Sequence, residues 1–156
     1  MDYLIGKEIL KIKRIDKEID YEFPSPYAII FTLSETDKEL VLSANNEASS
    51  DIYFSTEREI ELDYGLEFDE IKLNNLKPQD ELNHFLNEKI QSIRIAEYYE
   101  NEIQGNGFII KQGVVAGIEI KTNKHTLLFY NDFGGRIHFD DEYARLPNEE
   151  RWFWRK

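Results

Sequence analysis

Short runs in which apolar and polar residues alternate recur along the chain and predict β-strands. Residues 31–33 and 118–120 read apolar, polar, apolar, which is the period of a half-buried strand. Polar turn residues at 36–38 and 123–124 separate each run from a second apolar run. The pattern therefore predicts two hairpins, over about 27–43 and 114–130, and one further strand after each, at 51–54 and 136–139.

The chain also reads as two copies of one unit. Residues 4–13 match residues 85–94 without a gap, and the hairpin and the strand after it follow in the same order in both copies. Three matching blocks in one order favour duplication over a chance likeness between hairpins. We therefore predict a single domain over 1–156, with one repeat at about 4–72 and a second at about 78–146.

Between the copies, the apolar spacing changes to that of a helix. Pro78 suits a first helical turn, and Leu82, Phe85 and Leu86 form a stripe at helical spacing. We predict a short helix at about 78–88 that packs on a sheet, with at most one turn at the corresponding N-terminal place. The predicted fold class is α+β: two tandem β-rich repeats of mainly antiparallel strands with one or two short helices.

In the segment 57–64, charged and apolar residues alternate from Glu59 onward, which predicts a strand with its apolar residues buried. The opposite face would carry the carboxylates Glu59, Glu61 and Asp63, and Glu67, Asp69 and Glu70 follow. Carboxylates two residues apart on one face repel each other unless a cation or a basic partner lies opposite. Two interpretations stay open: the face binds a basic partner, or its charges protect an exposed strand from aggregation.

A second acidic segment combines carboxylates with tyrosines. Tyr98 and Tyr99 stand among Glu97, Glu100 and Glu102. Aromatic rings beside carboxylates offer contact area and a surface that attracts cations, which suits binding of a basic protein. The residues predicted to bind a partner are therefore Glu59, Glu61, Asp63, Glu67, Asp69, Glu97, Tyr98, Tyr99, Glu100 and Glu102.

The C-terminal segment 151–156 is rich in aromatic residues. Trp152 and Trp154 fit one face of a final strand that closes the fold, and we favour this interpretation because termini stay ordered when they are docked. If they were exposed, the same rings would form a hot spot for a partner.

Carboxylates near a histidine in the second copy raise the alternative of a metal-dependent hydrolase. Its candidate residues are Asp132, His138, Asp140, Asp141 and Glu142. Adjacent aspartates at a strand end point in opposite directions, and the spacing of His84, His125 and His138 matches no zinc motif. We therefore predict no catalytic residue, no metal site and no cofactor, and we expect His125 to be exposed at a hairpin tip.

Composition narrows the class of protein. The chain has 31 acidic and 19 basic residues, a net charge of −12, which disfavours nucleic acid and anionic membranes as partners. The absence of cysteine excludes disulfides and thiolate metal sites. The sequence contains neither a basic secretory leader nor an apolar run near the roughly 20 residues of a membrane span, so we expect a cytoplasmic protein.

In size, acidity, lack of cysteine, β-rich pattern and acidic clusters such as Glu59, Glu61 and Asp63, the chain resembles the small acidic immunity proteins that protect bacteria from polymorphic or contact-dependent toxins. The resemblance implies a protein that binds a cognate toxin domain, often a basic nuclease, and neutralises it by electrostatic and aromatic contacts. The alternatives are the hydrolase above and a module whose sheets enclose a small ligand. The oligomeric state stays open.

Overall fold

The computed structural model describes residues 1–17, 26–44, 50–63, 71–98, 101–104, 107–110, 114–131, 135–140 and 153–154. These residues form mostly antiparallel β-sheet, with an α-helix of seven residues and two short 3₁₀ segments. No helix in this part of the chain is long and apolar enough to cross a membrane. The sequence prediction of a β-rich fold with little helix is therefore confirmed.

The first half of the chain forms a five-stranded sheet, the first sheet. Its strands are β1 (Ile9–Lys17), β2 (Ala28–Leu33), β3 (Glu39–Ala44), β4 (Ser50–Ser55) and β5 (Ile71–Asn75). A 3₁₀ turn, Asp2–Leu4, precedes β1, and helix α1 (Glu57–Asp63) lies between β4 and β5 in the chain. The spatial order is β4-β3-β2-β1-β5, and all neighbouring strands are antiparallel.

The second half begins with a 3₁₀ segment, Glu81–Phe85, and forms a five-stranded second sheet and a separate ribbon. Its strands are β6 (Ser92–Tyr98), β7 (Asn101–Gln104), β8 (Gly107–Ile110), β9 (Val114–Lys121), β10 (Thr126–Asn131), β11 (Gly135–Phe139) and β12 (Phe153–Trp154). β7 and β8 pair with each other as the ribbon. The second sheet has the order β11-β10-β9-β6-β12 with antiparallel neighbours.

The two sheets therefore have the same order of strands along the chain. In the first sheet Leu40 of β3 lies opposite Phe54 of β4, and in the second sheet Leu127 of β10 lies opposite Phe139 of β11. The two predicted hairpins and the strand after each are confirmed. The duplication of the sequence itself stays a prediction.

The apolar faces of the two sheets pack against each other and form the main core. The first sheet contributes Ile12, Ile29, Phe31, Leu33, Leu40 and Leu42, and the second contributes Ile118, Ile120, Leu127, Phe129 and Ile137. Leu4, Leu82 and Phe85 from the 3₁₀ segments join this cluster. Full burial of side chains of this size stabilises the fold by about 1.5–3 kcal/mol each.

Helix α1 covers the outer face of the first sheet. Ile60 is buried there against Ile15, Ala28, Ile30 and Val41, which form a second, smaller core cluster. The strand predicted over these residues is therefore wrong. A helix of about two turns can be anchored by one apolar side chain that faces the sheet, so the charged residues on either side of Ile60 fit a helix as well as a strand.

The helix predicted between the two copies is shorter and tighter than expected. A 3₁₀ segment spans Glu81–Phe85, and Leu82 and Phe85 are buried as predicted. Asp80 begins this segment, because its carboxylate accepts a hydrogen bond from the Leu82 amide at 3.0 Å. The segment ends at Leu86, which is extended, and Asn87 follows in the left-handed region with a φ of 62°.

Candidate functional site

Helix α1 begins with a capping box, and this motif uses one of the residues predicted to bind a partner. The Glu59 carboxylate accepts hydrogen bonds from the Thr56 amide at 2.9 Å and the Thr56 hydroxyl at 2.9 Å. The Glu59 amide in turn donates to the Thr56 hydroxyl at 3.3 Å. The Thr56 amide, followed by the hydroxyls of Thr56 and Ser55, lowers the pKa of Glu59 below its ordinary value. Glu59 therefore stabilises the start of the helix.

The neighbouring carboxylate of Glu57 is also bound within the chain. It forms an ion pair with Lys13 of β1, whose hydrogen bond and charge lower the pKa of Glu57. Both carboxylates of the first helical turn are thus directed to the protein itself. The spacing of Thr56 and Glu59 was the sequence signal that could have identified this helix.

Replacing Thr56 by alanine is expected to lower the free energy of unfolding by about 1 kcal/mol, because the first helical amides lose their side-chain acceptor. Urea denaturation followed by circular dichroism measures this change. Thr56→Ser keeps a hydroxyl and should stay close to the parent protein. Equal stability of all three proteins would mean that the capping box contributes nothing.

The other described residues that were predicted to bind a partner lie on different elements. Glu61 and Asp63 lie in α1 on the first sheet, whereas Glu97 and Tyr98 end β6 of the second sheet and Glu102 lies in β7. Those outside the described residues are Glu67, Asp69, Tyr99 and Glu100. The two acidic segments, which the sequence analysis treated as separate candidates, thus belong to different halves of the chain.

Several carboxylates on the two sheets are paired with cations of the same chain. Besides Lys13–Glu57, these ion pairs are Lys7–Glu35, Arg14–Asp16, Arg14–Asp80, Arg94–Glu119 and Lys124–Glu88. A carboxylate that already faces a cation contributes little net charge to its surroundings. The carboxylates of these pairs are therefore weak candidates for the acidic surface that a basic partner requires.

Arg14 is at the centre of the most buried of these networks. Its Nη2 donates to Asp16 Oδ1 at 2.8 Å, and its Nη1 donates to Asp80 Oδ2 at 2.8 Å. The side chains of Arg14, Asp16 and Asp80 are 6%, 2% and 8% exposed. Burial lowers the pKa of Arg14, but the hydrogen bonds and charges of the two aspartates outweigh burial and raise it above its ordinary value. The network ties β1 to the start of the second half of the chain.

Arg94 forms a second network, on the outer face of the second sheet. Its Nε and Nη2 donate to the two oxygens of Glu119, both at 2.6 Å. The guanidinium carbon lies 4.3 Å from the ring centroid of Trp154. Because Phe153–Trp154 pairs with β6, the prediction that Trp154 belongs to a final strand is confirmed. Trp152 lies outside the described residues.

The histidine predicted to be exposed at a hairpin tip is half-buried. His125 lies in the connection between β9 and β10, as predicted, but its ring stacks on that of His84 with the centroids 5.3 Å apart. The Phe85 ring lies on it as well, with the centroids 5.7 Å apart. Packing against the 3₁₀ segment therefore removes His125 from full contact with water.

Of the residues considered for a metal site, Asp140 forms hydrogen bonds within the protein, His138 lies in a strand, and the other three lie outside the described residues. Asp140 accepts a hydrogen bond from the Thr126 amide at 2.8 Å and lies 3.3 Å from His125 Nδ1. His138 lies in β11, and Asp132, Asp141 and Glu142 lie outside the described residues. Within the described ranges, no group of three or more His, Cys, Asp or Glu residues could hold a metal ion.

At one end of the first sheet, two of its strands end and three begin. The strand-terminal residues at this end are Lys17, Ala28, Ala44, Ser50 and Ile71. The three connections that follow β1, follow β3 and precede β5 in the sequence, residues 18–25, 45–49 and 64–70, lie outside the described residues. We call this the acidic end. Helix α1 runs towards it, since Glu57 faces Lys13 and Ile60 faces Ala28 further along the sheet.

The three connections contain seven carboxylates and no lysine or arginine. These are Glu18, Asp20, Glu22, Glu47, Glu67, Asp69 and Glu70. The connection 34–38 at the opposite end of the sheet carries both signs of charge. Glu67 and Asp69 were predicted to bind a partner, whereas residues 18–22 were missed, because only the strand order brings the ends of these segments together.

Comparison with known proteins adds no relationship. A scan of protein-family models, a search of curated proteins and a search of solved structures each found no match to this chain. The function is therefore inferred from the residues and their geometry.

Proposed function

We propose that this protein is an inhibitor that binds a basic protein partner, in the manner of the immunity proteins that it resembles, and that the acidic end of the first sheet is the contact surface. The observation that carries the proposal is the separation of charge. Several carboxylates on the scaffold are paired with cations of the chain, whereas the sequence of the three connections at the acidic end contains seven carboxylates and no lysine or arginine.

Such a charge distribution serves recognition of a basic protein in two ways. An uncompensated negative surface speeds the diffusional encounter with a positive one and disfavours acidic competitors. The same connections contain the aromatic residues Tyr21, Phe23 and Phe68, which supply contact area of the kind that interface cores use. Carboxylates could also occupy the places where a toxin nuclease binds phosphates.

The proposed surface differs from the one that the sequence pattern indicated. Glu59 is assigned to the start of α1 and not to the partner. Asp63 stays in the proposal, because α1 leads directly into the connection 64–70. The segment from Glu97 to Glu102 runs from the end of β6 into β7 and is proposed as a second contact; the end of β6 corresponds to the end of β1 in the first sheet.

The proposal includes the tandem repeat. Two units, at about 4–72 and 78–146, are supported by the equal strand order of the two sheets and by the gapless match of residues 4–13 with 85–94. In this arrangement the connection after β1 and the segment after β6 belong to equivalent places of two diverged units. Function on diverged loops over a shared scaffold is a common pattern.

The partner is proposed to be a toxin domain with a positive surface, a basic nuclease being the chemistry that fits best. The protein is proposed to act in the cytoplasm by binding alone, without a cofactor and without contact to nucleic acid or membrane. Steric and electrostatic blockage of the partner's active site is sufficient for inhibition. Affinity should fall as salt is added, mainly through slower association.

The test compares charge reversal at the two ends of the first sheet. Glu67→Lys/Asp69→Lys changes the acidic end, and Glu35→Lys/Asp37→Lys makes the same change of charge in the connection 34–38. Each variant is titrated calorimetrically against the product of the reading frame next to this chain's own. The first variant should bind at least roughly tenfold more weakly, and the second should bind within about threefold of the parent protein.

Two outcomes contradict the proposal. Equal weakening by both variants would assign the effect to net charge and not to the acidic end. Full affinity in the Glu67→Lys/Asp69→Lys variant, with weakening by Glu97→Lys/Glu100→Lys, would move the contact to the second sheet. Circular dichroism of each variant checks that the fold is kept.

A further inference from the structure

Two short segments pair with each other where the chain enters the first strand of each sheet. Residues 6–9 lead into β1, and residues 87–90 lead into β6. The Gly6 amide donates to the Ile90 carbonyl at 2.7 Å, and the Ile90 amide donates to the Lys7 carbonyl at 2.9 Å. The two halves of the chain are thus joined by backbone hydrogen bonds in addition to the shared core.

The remaining two bonds are the counterparts of the first two with the halves exchanged. The Asn87 amide donates to the Ile9 carbonyl at 2.8 Å, and the Ile9 amide donates to the Glu88 carbonyl at 2.9 Å. Glu8 and Lys89 form an antiparallel bridge at the centre. This reciprocity is the pattern of an interface with a two-fold axis, in which each partner offers the same surface. We call the paired segments 6–9 and 87–90 the crossing.

The backbone has the same conformation at the start of both crossing segments. Ile5 has φ −64° and ψ 131°, and Leu86 has φ −64° and ψ 135°. The next residue is left-handed in each case, with φ 86° at Gly6 and 62° at Asn87. Glycine and asparagine are the residues that tolerate this region best, so both sequences are suited to the same turn.

Apolar burial at the crossing is also equal in the two halves. Leu4 and Ile9 of the first half and Phe85 and Ile90 of the second are all fully buried in the main core. Each 3₁₀ segment contacts the first strand of the opposite half, the first turn β6 and the second segment β1. The surface that each half offers is therefore apolar and hydrogen-bonded, as in a stable dimer.

We propose that the two halves of the chain are separate assembly units and that the crossing, with the apolar sheet faces beside it, is a self-complementary interface. Each half binds the other half through this interface, and the two halves stay bound without the covalent connection between them. The residues between β5 and Asp80 support this, because Lys77, Pro78 and Gln79 are exposed and lie outside the core. The chain then behaves as a dimer whose two subunits are linked.

The test uses the full chain with a site for a specific protease inserted at 77–79, which is cut after purification. The cut protein should elute as one species near 18.5 kDa and keep its circular dichroism spectrum. Its melting temperature should rise with protein concentration, because unfolding now separates two molecules. The matched control has the same site in the connection 34–38, where cutting divides the first sheet.

The dissociation constant of the protein cut at 77–79 should be at least roughly tenfold lower than that of the control. Gly6→Val, which forces a branched residue into the left-handed region, should weaken the cut complex roughly tenfold, and Asn87→Gly should tighten it. Separation of the pieces at micromolar concentration overturns the proposal. An equal dissociation constant for the cut control also overturns it, as does an unchanged dissociation constant in both the Gly6→Val and the Asn87→Gly variant.

Discussion

Replacing Arg14 by alanine is expected to lower the free energy of unfolding by about 3–5 kcal/mol, the usual cost of removing one partner from a buried ion network. Asp16 and Asp80 would lose their cation in a place where their side chains are 2% and 8% exposed. Urea denaturation followed by circular dichroism measures the loss, and an unchanged m-value would show that the unfolded state is the same.

Two further variants separate the loss of pairing from the loss of packing. Arg58→Ala removes an exposed arginine of α1 and should stay within about 0.5 kcal/mol of the parent protein. Arg14→Ala/Asp16→Asn/Asp80→Asn removes all three charges and should recover much of the stability lost in Arg14→Ala. Asn at position 80 can still cap the 3₁₀ segment. A triple variant no more stable than Arg14→Ala would mean that packing of the arginine stem, and not its charge, is what the site needs.

The hairpins could be predicted from the sequence because their signals are local. Residues 31–33 and 118–120 alternate with period two, and polar turns lie a few residues away. Helix α1 was predicted wrongly because its charged and apolar residues also alternate. The competing signal, Thr56 with Glu59 three residues later, decides in favour of a helix, since it satisfies the first helical amides.

Contacts between distant residues could not be predicted in this way. Asp80 lies 66 residues from Arg14 in the chain, and no local sequence pattern at either residue indicates that the two are in contact. The acidic end could not be predicted for the same reason. Each of its three connections is an ordinary polar loop in the sequence, and only the strand order β4-β3-β2-β1-β5 brings their ends to one side.

The alternating pattern also predicts the wrong solvent exposure for Glu119. The run Ile118-Glu119-Ile120 predicts a polar residue that faces water, yet the Glu119 side chain is 3% exposed. It is held by Arg94 of the neighbouring strand, whose own side chain is 47% exposed and lies over Trp154. The carboxylate is thus the buried partner of this pair, and the arginine is the exposed one.

This difference in burial predicts unequal costs for removing the two partners. Arg94→Ala leaves a buried carboxylate without its cation and takes the guanidinium away from the Trp154 ring, so it should cost about 3 kcal/mol. Glu119→Gln leaves an arginine that water still reaches, and it should cost about 1 kcal/mol. Urea denaturation of both variants measures the difference.

The double variant Arg94→Ala/Glu119→Gln identifies the cause. Because it removes the unpaired charge, it should be more stable than Arg94→Ala alone, by about 1–2 kcal/mol. Equal stability of the double variant and Arg94→Ala would mean that the contact with Trp154, and with it the docking of β12 on β6, supplies the whole effect. Losses of the same size in the two single variants would contradict the unequal burial of the pair.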